Sequence, residues 1–115
     1  MGENQNIILW PQFEAVDMRA GTILHAEPLA KAKKPAYKLS IDFGPLGIME
    51  SSAQITVLYK PAQLPGMQVI AVVNFAPKII AGFKSECLVL GVYNSDGDVV
   101  LLQPQQPVRN GDKVG

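Results

Sequence analysis

Catalysis needs reactive side chains that converge, and this chain offers few. It has one histidine, His25, and one cysteine, Cys87. A serine or cysteine nucleophile needs an adjacent base, most often histidine. His25 falls inside a predicted strand from Met18 to Glu27. Cys87 opens the apolar run Leu88-Val89-Leu90, where a lone thiol behaves as a small buried hydrophobe. One cysteine and one histidine do not make a zinc set, and no glycine-rich phosphate loop is present. Asp42, Glu50, Asp96 and Asp98 show no pairing pattern, and the last two flank a turn glycine. The sequence therefore predicts no catalytic residue, no metal and no cofactor, and points to a binding protein, not an enzyme.

Three groups of residues have the chemistry of binding. Lys31, Lys33, Lys34 and Lys38 surround Tyr37 with no acid among them, a pattern that can grip phosphates while a base stacks. Asn74, Lys78, Lys84 and Ser85 cluster around a Pro- and Gly-containing loop, with Phe83 beside them. Lysine offers a mobile cation, and Asn and Ser can bond base edges or sugar. Ser52 and Gln54 follow a strand and can face a groove shared with Asn74. The candidate RNA- or peptide-binding residues are thus Asn74, Lys78, Lys84, Ser85, Ser52, Gln54, Lys34 and Lys38. Each group has a plainer reading: a solvated rim, a connecting loop, and serines capping a short helix.

Short strands must position these groups. Met18 to Glu27 reads as the first, with Gly21 marking a bulge or a close backbone approach. Tyr37, Leu39, Ile41 and Phe43 alternate with polar residues, which predicts a strand with one buried face. Gly44 to Gly47 is a turn, and Ile48 to Ser52 pairs back. Ala53 to Tyr59 fits either strand or a short helix. Met67 to Phe75 is an unbroken apolar run, as in a strand buried on both faces. Ala76 to Ser85 reads as a loop and Glu86 to Tyr93 as one strand. Asp96-Gly97 makes a hairpin turn before a last strand from Asp98 to Gln103. Phe13 to Val16 allows one turn of helix, and the tail from Pro104 reads as extended.

The fold class is all-β. A five-stranded Greek-key OB-fold barrel, with a short helix and N- and C-terminal extensions, fits best. The expected layout is an N-terminal arm (1–12), the barrel (13–104) and a C-terminal extension (105–115). The chain has 115 residues, 48% apolar and 17% charged, which is globular composition for one domain. Ten basic and ten acidic residues cancel, so any phosphate site must come from local clustering. A single cysteine allows no internal disulfide, and no apolar run approaches the ~18 residues of a membrane span. The expectation is a cytoplasmic protein with no membrane insertion.

Several segments resemble one family. Ser51-Ser52-Ala53-Gln54-Ile55-Thr56, Val69 to Lys78, and Ile80-Ala81-Gly82-Phe83-Lys84-Ser85-Glu86 are similar to the CsaA family of export-related chaperones. Asp17 to Ile23 and Gly97 to Pro104 extend the likeness over nearly the whole chain from Phe13. CsaA looks like one branch of the tRNA-binding-domain superfamily, with the C-terminal domains of some methionyl-tRNA synthetases and the EMAP-II-like domains. Asn74, Pro77, Lys78, Gly82, Ser85 and Glu86 fall on the superfamily's most recognisable motif. Cys87-Leu88 stands where the synthetase domains commonly carry Gly-Met, which favours the CsaA branch. The resemblance implies an OB barrel and a twofold homodimer. It also implies binding of tRNA elbow-like structures, or of unfolded preproteins handed to the Sec export machinery. The alternative is a tRNA-recognising module without a chaperone role.

The arm carries its own expectation. Ile7, Ile8, Leu9 and Trp10 have no place inside a small closed barrel. Exposed apolar clusters on soluble proteins usually mark interfaces, and a twofold contact covers such a patch with its own copy. Ile8, Leu9 and Trp10 are the expected dimer contacts, with the C-terminal tail lying across the partner's barrel.

Overall fold

Strict alternation decides the barrel's inner face. In β2 (Tyr37–Asp42), Tyr37, Leu39 and Ile41 point inward and are buried, and Phe43 follows them into the core. The computed structural model, which describes residues 6–115, gathers these side chains with Ile23, Leu64, Val69 and Ala71 into one core. Around it, β1 (Met18–Pro28), β2, β3 (Ile48–Ala53), β4 (Gln68–Val72) and β7 (Leu88–Val89) form an antiparallel sheet in the order β3-β2-β1-β4-β7. Two small hairpins complete the set, β5 (Lys78–Ile80) with β6 (Phe83–Ser85), and β8 (Gly91–Tyr93) with β9 (Val99–Leu101). The result is a nearly closed five-stranded barrel of OB type, as the strand pattern predicts.

β1 serves two sides of the barrel. Its first part, Met18 to Thr22, pairs with β4, and its second, Thr22 to Pro28, pairs with β2, with a register shift between Ile23 and His25. Gly21 sits on the inner face at the crossing. A Cβ there would lie 2.7 Å from Ile41 Cγ2 and from the Phe43 ring. The glycine therefore marks a close approach, and the bulge falls three residues later.

The barrel closes through a short stitch. The free edge of β3 meets the segment 85–87, which leads into β7. The Ser52 amide donates to Ser85 Oγ at 3.1 Å, and the Glu50 amide donates to Glu86 Oε1 at 3.0 Å. The Glu86 amide returns a bond to Glu50 O at 2.7 Å, and buried Ser51 Oγ donates to Cys87 O at 2.9 Å. Backbone groups that would otherwise form an open edge are thus satisfied by side chains and main chain together.

Several elements differ from the sequence pattern. The helix is α1 (Trp10–Glu14), earlier in the chain than Phe13 to Val16. Gln12 reaches back to accept the Leu9 amide at 2.7 Å, and Pro11 sits in the first turn, where its missing N–H costs nothing. No helix forms over 54–60. Buried Ile55 and Leu64 plug the barrel end there, and only Pro61–Gln63 coils, as a 3-10 turn. The expected loop Ala76 to Ser85 is the β5–β6 hairpin, turned by Ala81 and Gly82, both in left-handed backbone with φ of 52° and 77°. The expected strand Glu86 to Tyr93 is broken at Leu90, whose amide bonds Ile70 O while its carbonyl accepts from Leu102.

The C-terminal tail is part of this barrel. β2 pairs only with the later part of β1, so the edge of Met18 to Ala20 on that side is left open. Residues 111–114 fill it: Gly111 donates to Ala20 O at 2.7 Å, Ala20 to Asp112 O at 2.9 Å, and Val114 to Met18 O at 2.9 Å. The expectation that the tail crosses a partner's barrel gives way, for this segment, to pairing within the chain. Side chains lock it, with Thr22 Oγ1 2.7 Å from Asn110 Oδ1 and Gln68 gripping both main-chain groups of Val108. Gly111 has a φ of 94°, and a Cβ there would sit 2.6 Å from Phe43 O. We expect Gly111→Ala to cost about 1–3 kcal/mol through backbone strain and overpacking. Leu39→Ala, in the sealed core, should cost about 2–5 kcal/mol. Urea melts check both, and a Gly111→Ala curve that overlays the parent would show that the tail is not seated on β1.

Candidate functional site

The predicted binding residues divide into three groups in space. Lys34, Ser52 and Gln54 come together with Lys31 and Lys33 around one cleft of about 430 Å³, completed by Ile80 and Ala81 at the tip of the β5–β6 hairpin. The three lysines are exposed, on the loop between β1 and β2. Among the described residues, no Asp or Glu lines this cleft. Three cations around one concavity produce a local positive field in a chain of zero net charge.

Lys78, Lys84 and Ser85 lie on the β5–β6 hairpin. Lys78 and Ser85 are cross-strand partners, as are Ile79 and Lys84. Both lysines are exposed. Ser85 is committed to the barrel closure, because its hydroxyl oxygen accepts the Ser52 amide. It helps hold the Ser52–Gln54 segment against the hairpin.

Lys38 and Asn74 are tied down. Lys38 Nζ stands 5.1 Å from the centre of the Phe83 ring and 3.8 Å from Glu27 Oε1. That cation–π contact and ion pair fix it on the outer face of β2, where it caps the buried Phe83. Asn74, just past β4, uses both ends of its amide: Oδ1 accepts the Asp17 amide at 3.0 Å and Nδ2 donates to Ala15 O at 2.8 Å. It anchors the chain entering β1. Nearby, the Arg19 guanidinium hydrogen-bonds the Asp17 carboxylate at 2.6 Å, holds it below the usual carboxylate range, and also donates to Gly111 O.

Two aromatic residues are not free to stack. Tyr37 is buried and its hydroxyl donates to Tyr59 O at 2.7 Å. Phe83 is buried at 8% exposure. Sequence reasoning missed a second cleft of about 470 Å³, lined largely by apolar side chains, that shares Ser52, Gln54 and Ile80 with the first. Val57, Leu58, Leu88 and Tyr93 line it. Its one signal in the sequence is Tyr93, an aromatic beside the polar turn Asn94 to Gly97.

The sequence of the chain fits a known family model, the putative tRNA binding domain, over residues 18–113. The match spans the barrel and the seated tail. The chain belongs to this tRNA-binding domain family. Within it, two solved structures are similar over almost all of their length. One is the chaperone CsaA of Bacillus anthracis, at 52% identity and a TM-score of 0.90, covering 95% of this chain and 99% of that one. The other is the CsaA chaperone of Picrophilus torridus, at 47% identity and a TM-score of 0.89, covering 95% of this chain and 100% of that one. The chain is thus a member of the CsaA branch, as its own motifs indicate. It is also 37% identical over 107 residues to a methionine–tRNA ligase of Chlorobium chlorochromatii, a match covering 93% of this chain and 15% of the ligase.

Cys87 sits at the closure, buried at 5% exposure. Burial pushes its thiol up to about 12, with Glu86 adding to the effect and the Ser51 hydrogen bond opposing it. The thiolate, the reactive form, is therefore suppressed in the folded chain. At pH 8 a thiol-alkylating reagent should react about a hundredfold more slowly with folded protein than with chain unfolded in urea. The folded thiol is raised above its unfolded value of about 8.5, so its contribution to stability is intact below that pH and is lost as pH rises toward 12. Denaturant melts should show a smaller alkaline loss in Cys87→Ala; rapid alkylation of the folded parent would place the thiol at the surface.

Proposed function

We propose that this chain binds tRNA-like folded RNA through the lysine-lined cleft and the adjoining β5–β6 hairpin. The observation that carries the reading is the cleft itself, where Lys31, Lys33 and Lys34 converge with Ser52 and Gln54 and, among the described residues, no acid intervenes. Lysines supply phosphate contacts, and serine and glutamine supply bonds to sugar or base edges. Lys78 and Lys84 extend the cationic surface. Lys38, Asn74 and Ser85 support the site by holding Phe83, the start of β1 and the Ser52 segment. The chain acts by binding and has no catalytic role.

We further propose that it works in the cytoplasm as a CsaA-type, export-related chaperone that accepts unfolded preproteins for the Sec machinery. Membership of the CsaA branch supports this. The apolar cleft beside the cationic one offers unfolded segments a second kind of contact. A tRNA-recognising module without a chaperone role is the alternative. Filter binding of unfractionated tRNA across a salt series tests the RNA reading. The parent should lose affinity steeply with salt, since log K falls by roughly 0.7–0.9 per neutralised phosphate per log unit. Lys33→Ala/Lys34→Ala and Lys78→Ala/Lys84→Ala should each weaken binding and flatten the slope by about one unit per lost cation. Parent-like binding by both double variants would move the site elsewhere.

We also propose a homodimer with Ile8, Leu9 and Trp10 at its interface. These side chains are exposed at 59%, 69% and 80% in the single chain. Trp10 is the natural anchor, because interface energy concentrates in buried aromatics. Sedimentation of the intact chain should give a dimer, and a version beginning at Gln12 should shift toward monomer. A monomeric intact chain refutes the dimer, and a truncated chain that dimerises as tightly as the parent removes the arm from the interface.

A further inference from the structure

We propose that the apolar cleft takes up one unstacked nucleobase of the bound RNA while the lysine cleft holds the neighbouring phosphates. The inference rests on the RNA-binding reading above and adds what part of the RNA each cleft selects. The two concavities meet along a common wall of Ser52, Gln54 and Ile80. Their electrical character is opposite. Among the described residues, one is ringed by Lys31, Lys33 and Lys34 without an acid, and the other has no lysine or arginine and a single charged residue, Asp98. A phosphate is drawn to the first and repelled from the second. A base, uncharged and largely apolar on its faces, has the reverse preference.

The apolar cleft also has the fittings of a base site. Its volume of about 470 Å³ lies in the range of small-molecule pockets, ~300–1,000 Å³. Tyr93 lines it yet is 76% exposed, so a ring face is open to stacking. Asp98 can accept from a base N–H, and Ser52 and Gln54 on the shared wall can bond a base edge or the sugar. Bases in a duplex are stacked and paired and cannot enter such a cleft, whereas loops and bulges present splayed bases. The pair of clefts therefore reads unpaired RNA joined to a phosphate backbone, not duplex as such.

The test compares two RNAs with equal numbers of phosphates: a hairpin with an unpaired loop and a fully paired duplex. The parent should bind the hairpin about tenfold more tightly. Tyr93→Ala should erase that advantage, lowering hairpin affinity about tenfold with duplex affinity and salt slope unchanged. Tyr93→Phe, which keeps the ring, should bind as the parent does. Tyr93 is exposed, so melting temperatures should match and separate this effect from misfolding. Equal binding of hairpin and duplex by the parent, or a Tyr93→Ala variant that weakens both or neither, overturns the base site while leaving RNA binding in place. Failure to bind either RNA overturns the RNA reading and the base site with it.

Discussion

The structure depends on how the edge of β3 is closed. A sheet running β3-β2-β1-β4-β7 becomes a barrel only if its two ends meet. They meet through residues 85–87, with four hydrogen bonds of 2.7–3.1 Å to Glu50, Ser51 and Ser52. Two of the four use side-chain oxygens as acceptors for β3 amides, so residue identity at Ser85 and Glu86 matters beyond backbone shape. The same stitch ties Ser52, two residues before Gln54, to Ser85 at the end of the β5–β6 hairpin. Both clefts are lined by Ser52, Gln54 and Ile80. Closure of the barrel and construction of both clefts are thus linked.

Charge is arranged by segregation. Ten cations and ten anions cancel over the chain. Some are spent in place: Arg19 on Asp17 and on the tail carbonyl of Gly111, and Lys38 between Glu27 and Phe83. Among the described residues, no carboxylate lines the cleft formed by the lysines of the β1–β2 loop. Exposed pairs such as Lys38–Glu27 add little stability; this one holds the Lys38 cation over the Phe83 ring.

Much of the barrel was legible because period-two patterns report a half-buried sheet directly. Tyr37, Leu39, Ile41 and Phe43 could be assigned to the core from alternation alone, and the Asp96-Gly97 hairpin from turn chemistry. The β5–β6 hairpin was not, since Pro77 and Gly82 read as loop residues and its strands are three residues long. The candidate site was legible in composition but not in arrangement. Lys34, Ser52 and Gln54 meet only because the loop after β1 and the end of β3 face the same hairpin, a tertiary fact no local pattern carries. Asn74 and Ser85 have the side chains of ligand contacts, yet their polar groups satisfy backbone amides far along the chain. Tyr37 looked like a stacking platform, but its position in the alternating face turns it inward.

The pairing of residues 111–114 with β1 also has a bearing on synthesis. β1 is synthesised well before residues 111–114, which are what match part of its edge. Contacts of such sequence separation form late and slow folding. Domains made vectorially expose unpaired edges until their partners emerge. The barrel therefore reaches its native edge pairing only after residues 111–114 have emerged. Until then the nascent chain shows Met18 to Ala20 as an unprotected strand, a window during which the growing protein itself is open to capture.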